Sequence, residues 1–198
     1  MEKMFRAPDN CKNIIDCQPY RNIFEYDYTL WQLLSCLAKS APDVAKQEYS
    51  LEIRTINKLA NATPEQLLRI SSGVALSFRL LTSEEVVIET LRQEYDPAIM
   101  FRQQTNELES AYWLNLNRLA LQDTDIALIV YGVSPRLAHV VAEASDSQLR
   151  QLASKTQTKI GLRFTCSVID DLLDDRRDVL LYGLQKKVQQ ILSHRGAK

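Results

Sequence analysis

The chain has 198 residues, 45% of them apolar and 25% charged, with a formal net charge of -1 and a pI near 6.2. That composition supplies a core for one domain or two small ones. It excludes both a disordered polar chain and a globally basic nucleic-acid binder, so any phosphate contact has to come from a local patch or a partner subunit. No stretch approaches the roughly 18 uninterrupted apolar residues of a membrane span, and MEKMFRAPDNCKN lacks the apolar run of a secretory leader. A cytoplasmic protein without membrane association is therefore expected. Cys11, Cys17, Cys36 and Cys166 match no CxxC or Cys/His zinc spacing, and in a reducing compartment they are expected to stay thiols.

In chain order, the first predicted helix runs around Tyr28 to Lys39, with Trp31, Leu34 and Ala38 recurring at helical spacing. A short helix follows from Pro42, and the turn at Tyr49-Ser50 leads into a third segment, Leu51 to Ala60. Thr63-Pro64-Glu65-Gln66 combines a threonine N-cap, a proline at the first helical position and a glutamine placed to close a capping box. It leads into a long apolar helix expected over Leu67 to Leu81. Another helix spans about Ala98 to Gln122, and a short one starts at Asp123. Tyr131-Gly132 then provides a glycine for a left-handed C-cap that the earlier turn lacks. Ser134-Pro135 opens a helix to Glu143 with Leu137, Val140, Val141 and Ala144 on one face. Asp146 is expected to cap the next helix, through Leu149 and Leu152. Lys159 to Phe164 alternates, the chief candidate for β-structure. Beyond Ser167 the chain turns helical again to Ser193. Asp170, Asp171, Asp174 and Asp175 crowd its start and Lys186-Lys187 lie near its end, the order a helix dipole favours.

Compared with itself at a shift of about 82 residues, the chain aligns without gaps from Trp31 to Ser72 on Trp113 to Ser154. Leu34 meets Leu116, Asp43 meets Asp125, Tyr49 meets Tyr131, Arg54 meets Arg136, and Gln66-Leu67 meets Gln148-Leu149. The pattern reads as a duplication of one run of short helices. It divides the chain into an N-terminal arm (1–20), a first repeat (21–95) and a second repeat with a basic C-terminal helix (96–198).

The second repeat carries, in order, Arg118-Leu119, Gln122-Asp123, Gly132-Val133, Gln148-Leu149, Leu152-Ala153 and Arg163-Phe164. Together these pairs, between Tyr112 and Phe164, resemble the flagellar transcriptional activator family FlhD. QLLRISSGVALSFRLL, Gln66 to Leu81, echoes the C-terminal helix of that family. The resemblance implies an all-α subunit that dimerises and activates bacterial promoters with a zinc-binding FlhC-like partner. Family members carry one copy, so two copies in one chain imply FlhD-like repeats packed as a fused pseudo-dimer, with further homo-oligomerisation left open.

Candidate DNA-binding residues follow from position. Arg136 and His139 sit on the first turns after the Ser134-Pro135 cap, where a recognition helix meets phosphate and base edges. A solvated helix face accounts for them as well, since their counterparts Arg54 and Asn57 are also polar. Arg150, Lys155, Lys159 and Arg163 form a looser basic run suited to positioning on phosphates. Lys186 and Lys187 begin the most basic segment, which a helix C-terminus explains without any ligand. Trp31, Leu34, Trp113 and Leu116 are expected to anchor the interface between the repeats, because duplicated aromatic residues on a packing helix bury large area. The aspartates of IDDLLDDRRD point around a helix rather than into one cleft, so capping and salt bridges to Arg176 and Arg177 are expected. Nucleophile motifs, phosphate-cradling glycine loops and metal-binding helices are missing, so neither enzyme activity nor a metal or cofactor is expected.

Two functions fit these features. One is a tandem FlhD-like regulator that relies on a partner to hold promoter DNA. The other is a helical adaptor or anti-activator that binds a regulator or secretion component and never touches DNA.

Overall fold

A computed structural model describes residues 18–71, 75–93 and 107–174. Ten helices and two short strands form among them: α1 (Gln18–Ser40), α2 (Pro42–Tyr49), α3 (Ile53–Ala60), α4 (Pro64–Ile70), β1 (Phe78–Leu80), α5 (Glu84–Arg92), α6 (Glu107–Gln122), α7 (Thr124–Tyr131), α8 (Pro135–Glu143), α9 (Asp146–Lys155), β2 (Ile160–Leu162) and α10 (Cys166–Asp174). The fold is thus mostly helical, with one two-stranded sheet made by β1 and β2. The pairs α2 and α7, α3 and α8, α4 and α9, β1 and β2, and α5 and α10 each begin about 82 residues apart, as Pro42 and Thr124 do.

Local chemistry sets most boundaries. Thr63 and Ser145 each close a full capping box, with Gln66 and Gln148 respectively, so α9 is capped by Ser145 and not by Asp146, which is its first helical residue. Ser134 accepts from the Leu137 N–H at 3.2 Å, and Asp123 caps α7 through the Ile126 N–H at 3.0 Å. Gly132 ends α7 in the left-handed region at φ 68°, and Ser50 ends α2 the same way at φ 53°, so the first turn takes this conformation without glycine.

The long helix expected over Leu67 to Leu81 does not form. The α4 helix stops at Ile70, where the Ser71 backbone turns extended and its hydroxyl and N–H both bond the Leu67 carbonyl. Further on, the Asp27 carboxylate takes the Ser77 N–H at 2.7 Å and the Ser77 hydroxyl at 2.8 Å, and Phe78–Leu80 runs extended into the sheet. An apolar run cannot continue as a helix when a buried acid holds its backbone from outside.

The chain divides into two compact units, Met1–Ser77 with Leu162–Lys198, and Phe78–Gly161. In the first, α1 packs on α2, α3 and α4, and α10 packs on α3 and α4. Its core includes Ile23, Trp31, Leu34, Leu59, Ile70 and Ile169. The indole N–H of Trp31 donates to Ser77 Oγ at 3.1 Å, so one buried chain of hydrogen bonds joins Trp31, Ser77 and Asp27. Ser35 Oγ donates to the Leu59 carbonyl at the end of α3, at 2.8 Å.

In the second unit, α6 packs on α7, α8 and α9, and α5 packs on α8 and α9. Tyr112 stands edge-on to both Trp113 and Tyr131, with centroids 4.9 and 5.2 Å away, inside a core that includes Val87, Leu116, Leu137 and Leu149. Here Glu109 accepts the Thr158 N–H at 2.9 Å while Trp113 donates to Thr158 Oγ1 at 3.0 Å. Asn117 Nδ2 donates to the Val141 carbonyl at the end of α8. In both units an acid and an indole four residues apart on one helix thus meet at a single hydroxyl residue, the acid on its N–H and the indole on its Oγ atom.

Two substitutions check this description. Asp27→Ala strands the buried Ser77 N–H and should lower the unfolding free energy by about 2–3 kcal/mol in urea titration, against less than about 0.5 kcal/mol for the exposed Glu25→Ala. Ser50→Gly relieves a left-handed backbone and should raise stability by about 0.5–1 kcal/mol, whereas Gly132→Ala should lower it by a similar amount.

Candidate nucleic-acid interface

The α7 and α8 helices flank a three-residue turn, Gly132 to Ser134, across which the chain bends by 117°. Two short helices steeply angled across a glycine turn are the geometry of a helix-turn-helix. Gly132 makes the turn, Ser134 and Pro135 restart the helix, and Leu137, Ala138 and Val141 bury the inner face of α8. Arg136, His139 and Glu143 remain on its exposed side.

The electrostatics of that side are mixed. His139 Nε2 lies 3.3 Å from Glu143 Oε1. Glu84 Oε1, from the first turn of α5, accepts the Ser134 N–H at 3.0 Å. Glu85 sits close enough to feel Arg136. Its carboxyl is held below the usual range, first by the Ser83 hydroxyl at 2.8 Å, then by its own backbone N–H, with Arg136 a smaller contribution. A carboxylate thus already occupies the backbone donor at the start of α8, and a second stays ionised beside Arg136.

The remaining expected residues fall in different surroundings. Arg150 is exposed on α9, and Lys155 ends that helix with its Nζ 3.5 Å from Gln93 Oε1. Lys159 is exposed, while its N–H donates to Thr82 Oγ1 and its carbonyl accepts the Leu81 N–H. Arg163 belongs to the first unit, half-buried, with Nη1 donating to the Leu76 carbonyl at 3.2 Å, so part of its donor capacity serves the fold. Lys186 and Lys187 lie outside the described residues, as do Cys11, Cys17, Arg176 and Arg177. The described cysteines, Cys36 and Cys166, are free thiols. Trp31 and Leu34 are buried within the first unit, and Trp113 and Leu116 within the second.

Among the described residues, Asp170 and Asp174 pair with Arg54 and Lys58 of α3. Sequence reasoning passed over Glu84, Glu85, Asp27 and Glu109. The first two read as ordinary first-turn acids of α5, and nothing local points to α8. For the other two a signal was present, since each acid stands four residues before a tryptophan, Asp27 before Trp31 and Glu109 before Trp113.

Among the described residues no group of three or more His, Cys, Asp or Glu side chains could hold a metal ion. No single helix there is long and apolar enough to cross a membrane; α7 and α8 reach that length and apolarity only as a sharply bent pair. Neither a curated protein nor a solved structure matches the chain. The family described as flagellar transcriptional activator (FlhD) matches residues 98–196. That family is one of transcriptional regulators and not of enzymes. The match takes in half of the chain and contains α6 through α10, with the glycine turn between α7 and α8: the chain belongs to the FlhD family of flagellar transcriptional activators.

Proposed function

We propose that this chain is a tandem FlhD-like regulator subunit, two helical repeats fused in one polypeptide, acting on bacterial promoters in the cytoplasm with an FlhC-like zinc-binding partner. The family match carries the reading. The steep α7–α8 turn supports a DNA-directed surface on the second repeat, and the common spacing of element starts supports a duplication with repeats at 21–95 and 96–198 after an arm at 1–20.

The partner follows from charge. Phosphate neutralisation dominates affinity for DNA, and a chain with a net charge of -1 supplies little of it. In this reading Arg136, His139, Arg150, Lys155, Lys159 and Arg163 position the complex on the backbone, joined by Lys186 and Lys187. Base readout falls largely to the partner. Trp31 and Leu34 anchor the core of the first repeat, and Trp113 and Leu116 that of the second. A second reading, an adaptor or anti-activator that binds a regulator without touching DNA, draws support from Glu84 and Glu85, which put negative charge at the start of α8.

Gel-shift assays with and without a co-expressed FlhC-like protein separate the two readings. Promoter fragments should be retarded only by the two proteins together. In that complex, replacing Arg136 and Arg150 by alanine should weaken DNA binding and lower the salt slope by about one unit for each phosphate that is no longer neutralised, while partner association stays intact. Unchanged affinity and slope would assign DNA contact to the partner alone and favour the adaptor.

A further inference from the structure

We infer that Arg54 and Lys58 of α3, with Asp170 and Asp174 of α10, form a charge lock that selects α10, and not its counterpart α5, as the helix closing the first unit. The inference rests on the tandem reading above. After β1 the chain enters α5, which packs in the second unit; after β2 it enters α10, which packs in the first. Two helices of equivalent sequence position thus face a choice of two seats, on α3 and α4 or on α8 and α9.

The apolar contacts do not decide it. Ile169, Leu172 and Leu173 of α10 and Val87, Ile88 and Leu91 of α5 all present a buried aliphatic face. Charge does decide it. Asp170 Oδ2 lies 3.2 Å from Arg54 Nε and 3.6 Å from Lys58 Nζ, and Asp174 Oδ2 contacts both Lys58 Nζ and Arg54 Nη2. The Asp170 side chain is only 10% exposed, and its Oδ1 has no hydrogen-bond partner among the described residues. This carboxylate is desolvated and depends on the two cations.

Transposed by the repeat spacing, the positions of Asp170 and Asp174 are Ile88 and Arg92 in α5, and those of Arg54 and Lys58 are Arg136 and Val140 in α8. If α5 took the seat on α3, Arg92 would meet two cations across an interface. If α10 took the seat on α8, Asp170 would be buried beside Val140 with only one cation to pair with. The swapped docking sets Arg92 against two cations and leaves Asp170 and Asp174 only Arg136, whereas the observed docking gives both acids Arg54 and Lys58 and sets Arg92 at the transposed position of one cation alone, Arg136.

Alkylation of Cys166 reads the docking of α10, because its Sγ accepts the Glu52 N–H beside α3 at 3.4 Å. The full-length chain is treated with iodoacetamide and the Cys166 peptide is followed by mass spectrometry. Both Asp170→Lys/Asp174→Lys and Arg54→Glu/Lys58→Glu should speed labelling by at least about tenfold. The chain with all four changes has the lock inverted and should return to the parent rate. Refolded together in equal amounts, the two half-reversed chains hold complementary helices and seats. Native mass spectrometry should then detect a species with one of each chain, absent from either alone. Unchanged labelling in the half-reversed chains, or no recovery in the fourfold variant, would overturn selection by charge. Recovery without the mixed species would mean that α10 is not an interchangeable helix, and the tandem reading would fall with the proposal resting on it.

Discussion

Everything in the first unit hangs on one buried carboxylate. Asp27 is fully removed from solvent, and a charge in that position is tolerable only when fixed donors replace its water. The Ser77 N–H and hydroxyl are among those donors, and the same hydroxyl accepts the indole N–H of Trp31. Three consequences follow from one set of bonds. The largest side chain of the unit is fixed in orientation, the segment after α4 is drawn against α1, and the backbone is released into a strand where its apolar composition alone favours a helix. Glu109, Thr158 and Trp113 repeat the device with a longer acid and a half-buried threonine.

A second pair of contacts shows how one backbone position uses two chemistries. The N–H of Ser134, before α8, is received by the carboxylate of Glu84, and the N–H of Glu52, before α3, by the thiol of Cys166. Both acceptors stand at the start of the helix that closes the unit. A carboxylate is much the stronger acceptor, so α5 is held at its first turn, whereas α10 has a weak sulfur contact there and its ion pairs lie one and two turns further on.

The sequence disclosed whatever depends on neighbours along the chain. Caps at Thr63 and Ser134, the glycine turn at Gly132, the alternation around Ile160 to Leu162 and the helical spacing around Trp31 are all short-range chemistry, and the elements begin or end close to them. The failures share a different cause. Asp146 and Ser145 are both competent caps, and only the glutamine at position 148, three residues after Ser145, favours the serine. The Leu67 to Leu81 helix was overruled by Asp27, which lies far away in sequence. Ser50 adopts a left-handed conformation that its side chain disfavours, and no glycine or other local signal announces it. At the candidate interface, periodicity identified Arg136 and His139 as outward-facing, yet the carboxylates of α5 beside them come from a separate helix that no local pattern connects to α8.

The division of the chain also has a consequence for synthesis. The second unit, Phe78–Gly161, is continuous, so all of it leaves the ribosome in a single run and it can close on itself immediately. The first unit is interrupted: α1 to α4 are made first, but α10, which covers α3 and α4, emerges only after the whole second unit has been translated. During that interval the sides of α3 and α4 that receive α10 lack their cover, and the cations of α3 stand beside an empty seat. The part of the protein made first is therefore the last to be finished, and its apolar face is open to cellular chaperones for the time taken to translate the second unit.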